Sequence, residues 1–224
     1  MTDRPVLFSG QMVRANHAGL KNQTRRVLKR PSWAAPIIDA EQDADGVWGM
    51  PSKNGCWSPL PIPQIGDRLW VREAWRSTIA YDDLAPRDMG GEEPIRYEAD
   101  GHWETWGWTD HGRTGRHRQG MHMPRWASRT TLVVIDVRVQ RVQEISEADA
   151  IAEGCRPYWD NDNPDILYGP NGTAHEMAPL KGPVDDFRNL WDSLNAARGY
   201  GWDQNPWVTA TTYTVHRCNI DQMS

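Results

Sequence analysis

The sequence predicts an α+β fold with more strand than helix, built as a small, mostly closed sheet flanked by two or three helices. The most regular segments alternate apolar and polar residues or are rich in β-branched residues, and the clearest of them covers residues 130–142. Only three segments combine helical spacing with capping residues. The 224 residues suit one large domain, because the last predicted strand needs sheet partners from the first half of the chain.

Six segments are predicted strands. In residues 68–75, alternation places Leu69, Val71 and Glu73 on one face and the intervening residues on the other. The other predicted strands are residues 4–8, 24–29, 95–98, 130–142 and 207–217.

Three segments are predicted helices. Ser9 is the expected N-cap of the first, which Gly19 ends. Ser146 caps the second, in which Ile151 faces inward and which stops at Gly154. The third, residues 185–198, is amphipathic, and its apolar face consists of Phe187, Leu190, Trp191 and Leu194.

Long segments rich in Pro, Gly, Asn and Asp interrupt this pattern and predict insertions rather than core elements. They lie at about 31–64, 76–128 and 155–182. No internal repeat or composition shift marks a boundary, so we expect one domain over residues 1–224.

Composition excludes several classes of protein. The chain has no apolar run of about 20 residues, as a membrane-spanning helix requires. Its first residues do not resemble a signal peptide, so we expect a cytoplasmic protein. Three distant cysteines without C-x-x-C spacing argue against a disulfide framework or a zinc ribbon. No phosphate-binding or dinucleotide-binding motif occurs, and we expect no cofactor.

The charge is unevenly distributed, although the net charge is −5. Residues 14–30 hold six bases and residues 111–129 hold five, and neither stretch contains an acid. Anion binding depends on such local clusters more than on net charge. The rest of the chain is acidic and disfavours binding to a long duplex. The pattern therefore predicts a nucleotide or a short single-stranded nucleic acid as partner. The alternative is two solvated basic loops.

Four histidines fall within 21 residues, but their spacings of nine, six and five match no common metal-ligand pattern. They are His102, His111, His117 and His122. We expect no metal.

The first candidate for chemistry is the segment Gly19-Leu20-Lys21-Asn22-Gln23-Thr24-Arg25-Arg26. It offers an amine at Lys21 and a hydroxyl at Thr24, with Arg25 or Arg26 available for a phosphate or carbonyl oxygen. The alternative is that bases following a helix merely offset its dipole.

Glu73 is the second candidate, because an acid on an inward strand face must be paired or perturbed in pKa. If Glu73 and Lys21 meet, they can act as acid and base, with Thr24 as nucleophile or orienting hydroxyl. The alternative for Glu73 is a buried ion pair with an arginine.

The third candidate is the segment Met121–Arg129, which leads into the longest strand. Trp126 can stack on a base, while Ser128 and Arg129 can contact phosphate or carbonyl oxygens. The alternative is a structural loop that packs on Trp126.

Several of these segments together resemble the phage and prophage proteins of the ASCH group, in the PUA-like superfamily. The matching segments are GLKNQTRR, GDRLWVREAW, MHMPRWASR, SEADAIAEG and the C-terminal FRNLWDSLN and GWDQNPWV. The resemblance spans nearly the whole chain. It implies a small β-barrel with flanking helices and a cleft that binds RNA or a modified nucleoside.

One ASCH branch removes the acyl group of N4-acetylcytidine with a Lys and a Thr of a GxKxxTxR-like motif and a Glu on a later strand. Gly19, Lys21, Thr24 and Arg26 match that motif, and Glu73 corresponds by its strand position alone. The resemblance therefore implies an amidohydrolase acting on an acylated cytosine, with Lys21, Thr24 and Glu73 as catalytic residues. The expected substrate-binding residues are Gly19, Arg25, Arg26, Trp126, Ser128 and Arg129.

Two other functions stay open for this sequence. The first is a non-catalytic reader of RNA or modified bases, whose binding weakens steeply with salt. The second is a ribonuclease that uses the same cleft. This chain is about twice as long as the small amidohydrolases, and its insertions can alter the substrate. The sequence indicates no oligomeric state.

Overall fold

A computed structural model describes residues 1–29, 40–52, 56–105, 112–155 and 182–223. These residues form eleven strands, three α-helices and several short 3-10 helices. The fold is mixed α+β with more strand than helix, which confirms the predicted class. Within the described ranges, no helix combines the length and the apolar composition needed to cross a membrane.

The six predicted strands and three predicted helices are all present to within a few residues of their predicted bounds, and four further short strands lie in the predicted insertions. The helices are α1 (Gly10–His17), α2 (Glu147–Ala152) and α3 (Pro183–Asn195). The strands are β1 (Asp3–Leu7), β2 (Gln23–Val27), β3 (Glu41–Gln42), β4 (Trp48–Pro51), β5 (Trp57–Pro59), β6 (Arg68–Arg72), β7 (Trp75–Arg76), β8 (Ile95–Tyr97), β9 (Trp103–Glu104), β10 (Thr131–Arg141) and β11 (Trp207–His216).

The chain divides into two compact units, each assembled from segments that are distant in sequence. The first unit comprises Met1–Asn22, Ile62–Val137 and Thr211–Ser224. The second unit comprises Gln23–Pro61 and Arg138–Ala210. Strands β10 and β11 contribute residues to both units. The single domain with three insertions stays a prediction.

In the first unit, β6 lies between β1 and β10. It pairs in parallel with β1, where Val71 is opposite Val6, and antiparallel with β10, where Trp70 is opposite Thr131. The predicted alternation is confirmed, since Leu69, Val71 and Glu73 are all buried. Glu73 is not within the strand, however, because β6 ends one residue before it. A second sheet of this unit has the order β7-β8-β9.

In the second unit, β2 pairs with β11, and a small antiparallel sheet of β3, β4 and β5 lies in the predicted insertion at 31–64. Helices α2 and α3 pack on each other over an apolar cluster. The buried members of the cluster are Val142, Ile145, Ala150, Cys155, Phe187, Trp191 and Val208.

The predicted inward position of Ile151 is wrong. Its side chain is 45% exposed, whereas the neighbouring Ala150 is fully buried in the cluster. Successive helical residues point about 100° apart, so only one of the two can face α3.

The described strands do not pair into a closed barrel. Their order is β1-β6-β10-β11 in the first unit and β10-β11-β2 in the second. The closed sheet therefore stays a prediction. Residues 30–39, 53–55 and 106–111 of the predicted loops lie outside the described residues, as does the insertion at 155–182 except for its two ends.

Candidate functional site

An open cleft of about 370 Å³ lies in the first unit, and we call it the first-unit cleft. Its volume is within the range of small-molecule sites. None of its nine lining residues is acidic. They are Asn16, His17, Gly19, Lys21, Asn22, Tyr213, Thr214, Val215 and Arg217.

Helix α1 supplies one side of the cleft, and its ends are set by local sequence. The hydroxyl of Ser9 accepts a hydrogen bond from the backbone of Met12 at 3.3 Å, which caps the N-terminus as predicted. Gly19 ends the helix in the left-handed region at φ +72°. There the backbone N–H of Leu20 reaches the carbonyl of Ala15 at 2.9 Å. This turn places Lys21 directly after the helix.

Lys21 is among the most buried side chains of the protein, with an exposure of 2%, and it lines the cleft. Gly19, two residues earlier, lines the same cleft. The structure thus brings these two members of the predicted motif to one cavity.

Asn16 and Tyr213 form a buried polar pair in the cleft lining. The hydroxyl of Tyr213 donates to Oδ1 of Asn16 at 3.0 Å. The Nδ2 atom of Asn16 is buried and has no partner among the described residues. A buried amide donor without a partner is uncommon in folded proteins, because its lost hydration is not replaced.

His17 is half-buried and lies 2.8 Å, Nε2 to Oγ1, from the hydroxyl of Thr130. Burial lowers the pKa of His17 to about 4, and the positive charges of Arg129 and Arg217 act in the same direction. The imidazole is therefore neutral at physiological pH.

Glu73 forms a two-pronged ion pair with Arg129. The distances from Nε to Oε1 and from Nη2 to Oε2 are 2.9 and 3.0 Å. Arg129 also donates to Asp100 at 2.8 Å, and its guanidinium lies 3.9 Å from the ring centre of Tyr97. Burial raises the pKa of Glu73, while the hydrogen bonds from Arg129 oppose that shift. The two predicted site residues meet, and they meet as an ion pair.

Thr24, Arg25 and Arg26 belong to the second unit. Arg25 is fully buried and contacts Asp149 at 2.8 Å and Glu153 at 3.3 Å, both in or beside α2. These ion pairs hold β2 against α2. Thr24 is buried and Arg26 is exposed. Their predicted functional roles, and that of Arg25, stay predictions.

The segment Met121–Arg129 is an ordered part of the first unit. Trp126 packs against an apolar cluster that contains Trp75, and the Oγ atom of Ser128 donates to the carbonyl of Val71 at 2.9 Å. These contacts give both residues structural partners. Their roles in substrate binding stay predictions.

Several arginines of the two basic stretches have partners within the fold. In residues 111–129, three arginines have acidic or carbonyl partners. Arg118 donates to the carbonyls of Tyr81 and Leu84, Arg125 to Asp3 and Asp221, and Arg129 to Glu73 and Asp100. The local charge of the sequence therefore overstates the cations available to a polyanion.

No group of three or more His, Cys, Asp or Glu residues that could hold a metal ion occurs among the described residues. His111, one of the four clustered histidines, lies outside them.

Sequence reasoning did not identify Asn16, His17, Tyr213 or Arg217. A signal existed for Asn16, which follows the buried Val13 by three residues and so lies on the inward face of α1. An amide at such a position predicts a buried hydrogen bond. No local signal indicates that Tyr213 would be its partner, because 197 positions separate the two residues.

Comparisons with known proteins give limited similarity. No family model and no curated protein matches the chain. A solved ASCH domain from Lactobacillus crispatus JV V101 is similar in structure, with 9% identity, a TM-score of 0.37 and coverage of 96% of this chain and 79% of that one. A DUF984 protein from Enterococcus faecalis V583 has 10% identity, a TM-score of 0.39 and coverage of 100% and 86%. Because both TM-scores are below 0.5, membership of the ASCH group stays a prediction.

Proposed function

We propose that the first-unit cleft binds a nucleoside and that the protein is an amidohydrolase that removes an acyl group from N4 of cytosine. One observation carries the proposal: the side chain of Lys21 is almost completely buried yet lines an open cleft. A cationic donor that is withdrawn from bulk water interacts strongly with charge that develops on a bound carbonyl oxygen.

The proposed reaction is a hydrolysis that consumes one water molecule. The water oxygen forms a bond to the acyl carbon, the bond between that carbon and N4 breaks, and N4 takes up a proton. The products are the free cytosine amine and a carboxylic acid. Lys21 donates to the acyl oxygen while that oxygen carries negative charge.

Glu73 is the proposed proton carrier. Because burial raises the pKa of Glu73, its carboxyl holds a proton closer to neutral pH than an exposed glutamate does. Its ion pair with Arg129 orients the carboxylate. Trp126 and Arg129 are the proposed contacts to the substrate, and the roles of Thr24 and Arg26 are inferred from the sequence motif alone.

The test is incubation of the purified protein with N4-acetylcytidine and longer N4-acyl analogues, followed by mass-resolved chromatography. We expect cytidine and the matching carboxylic acid from at least one analogue. Lys21→Met keeps the length of the side chain and removes its charge, and we expect it to lower turnover at least a hundredfold. The matched control is Lys29→Met, because Lys29 is an exposed lysine that follows β2. We expect this variant to retain full turnover.

Full turnover by Lys21→Met would refute the assignment. A second candidate function is a non-catalytic reader of RNA or modified bases, which the cationic, acid-free lining of the cleft favours. That function predicts no product from any analogue, together with binding of labelled RNA that weakens as salt increases.

A further inference from the structure

We infer that the ligand of the first-unit cleft is a nucleoside monophosphate, in which Asn16 recognises an uncharged acceptor of the base or sugar and Arg217 binds the phosphate. The inference rests on the proposed function in one respect, which is that the cleft takes a nucleoside. It assigns a ligand charge and two specificity-determining residues that the catalytic motif does not include.

Asn16 carries the first half of the inference. The residue is 3% exposed, its Oδ1 is occupied by Tyr213, and its Nδ2 has no partner within the described part of the chain. The Nδ2 atom is itself buried, so a ligand acceptor becomes its partner when the side chain turns toward the cleft that the residue lines. Carbonyl oxygens and ring nitrogens of a nucleobase, and sugar hydroxyls, are acceptors of this kind.

Arg217 carries the second half. It is exposed, it lines the same cleft, and among the described residues it makes no hydrogen bond or ion pair. Arg125 and Arg129 of the same unit, by contrast, both hold carboxylates. A guanidinium matches the geometry of a phosphate and binds it with two parallel hydrogen bonds.

The charge of the lining agrees with an anionic ligand. Lys21 and Arg217 are cations, His17 is neutral, and none of the nine lining residues is an acid that would repel a phosphate. The cleft volume of about 370 Å³ is larger than a phosphate ion needs and is typical of sites for small organic molecules. A buried amide and a surface guanidinium that both lack partners among the described residues together suit a ligand with one neutral acceptor and one anion.

Isothermal titration calorimetry of the full chain with three unacylated probes tests the inference. The probes are cytidine, cytidine 5′-monophosphate and inorganic phosphate. We expect the monophosphate to bind at least tenfold more tightly than cytidine. Arg217→Gln should remove this preference, whereas Arg87→Gln, at an exposed arginine outside the cleft lining, should retain it.

Asn16 is tested by Asn16→Asp, which keeps an acceptor for Tyr213 and replaces the N–H donor with an oxygen. We expect it to weaken binding of both cytidine and the monophosphate at least tenfold. Asn16→Ala, which removes the donor without adding a buried charge, should weaken binding in the same direction. Circular dichroism spectra establish that each variant is folded.

Equal affinities for cytidine and the monophosphate would overturn the inference, as would a preference that survives Arg217→Gln. The inference would also be overturned if inorganic phosphate bound as tightly as the monophosphate and the Asn16 variants did not change its affinity. The cleft would then be a site for anions in general. Absence of binding by all three probes would likewise overturn the inference.

The outcome is separable from that of the proposed function. If the monophosphate binds as expected but no acyl analogue is hydrolysed, the proposed activity fails and the assignment of the ligand stands. If acylcytidine is hydrolysed while the monophosphate has no advantage over cytidine, the activity stands and the ligand assignment fails.

Discussion

The hydroxyl of Tyr213 donates to the amide oxygen of Asn16 at 3.0 Å, which joins α1 to β11 across 197 positions of the sequence. Both residues are buried and both line the first-unit cleft. Because the bond uses the oxygen of the amide, it leaves the buried Nδ2 donor without a hydrogen-bond partner among the described residues.

Tyr213→Phe removes this hydrogen bond and leaves a buried acceptor unsatisfied. We expect the free energy of unfolding to fall by about 1–3 kcal/mol. Urea unfolding followed by circular dichroism measures the change. Tyr200→Phe is the control, because Tyr200 is partly exposed, and it should alter stability by less than about 0.5 kcal/mol. Equal effects of the two variants would contradict the structural role of the bond.

Arg129→Met leaves Glu73 as a buried carboxylate without its guanidinium partner. The side chains of Glu73 and Arg129 are 2% and 14% exposed, so solvent screens their interaction little. We expect a loss of about 3–5 kcal/mol in the free energy of unfolding.

The control for this variant is Arg188→Met, which breaks the exposed ion pair of Arg188 with Asp203. We expect that change to cost about 1 kcal/mol or less. Both variants are measured by urea unfolding at pH 7. A loss below that of the control would show that the Glu73 pair contributes little.

Protonation of His17 should make stability depend on pH. Its pKa is lowered from 6.5 to about 4 in the folded protein by burial and by nearby arginines. The unfolded chain therefore binds a proton at a higher pH than the folded chain does. The contribution of neutral His17 is complete above about pH 6.5 and is lost as the pH falls from 6.5 to about 4.

His17→Gln should reduce the slope of stability against pH in that window and leave the slope above pH 7 unchanged. The glutamine retains a polar group that can reach Thr130. Urea midpoints at half-unit intervals from pH 4 to 8 provide the measurement. Identical slopes for the variant and the native protein would show that another group titrates there.

Gly19→Ala tests the turn that connects α1 to Lys21. The residue has φ +72°, and no atom lies within 4 Å of where a Cβ would be placed. The expected loss is therefore backbone strain alone, about 1 kcal/mol. Gly120→Ala, where the new Cβ would lie 2.8 Å from Leu7 and 3.0 Å from the backbone of Glu73, should cost more. Thermal unfolding ranks the two variants, and the reverse order would contradict this prediction.

Local structure was predictable where one short segment decides it. Ser9 and Ser146 cap their helices because the donors they satisfy lie three residues along the chain. The alternation of residues 68–75 located the buried face because the pleat of a strand has a period of two. The prediction that Ile151 faces inward was wrong, because the packing of α3 on α2, and not the spacing within α2, determines that Ala150 is the buried residue.

Charge was the least predictable property, because a base in the sequence carries no information on its partner. Arg25 and Arg129 were expected to contact a ligand, and the fold gives both of them carboxylates from distant segments. Conversely, the sequence does not single out Arg217, which lines the cleft and makes no hydrogen bond or ion pair with the described residues.

Local sequence is enough to predict the α+β class, the caps of α1 and α2, the burial of Glu73 and the position of Lys21 after a helix end. These features depend on residues within a few positions of one another. The cleft lined by Asn16, His17, Lys21, Tyr213 and Arg217, and the pairing of Glu73 with Arg129, depend instead on how distant segments pack. Such contacts join residues from distant segments, and they form only when strands and helices pack to bury their apolar faces.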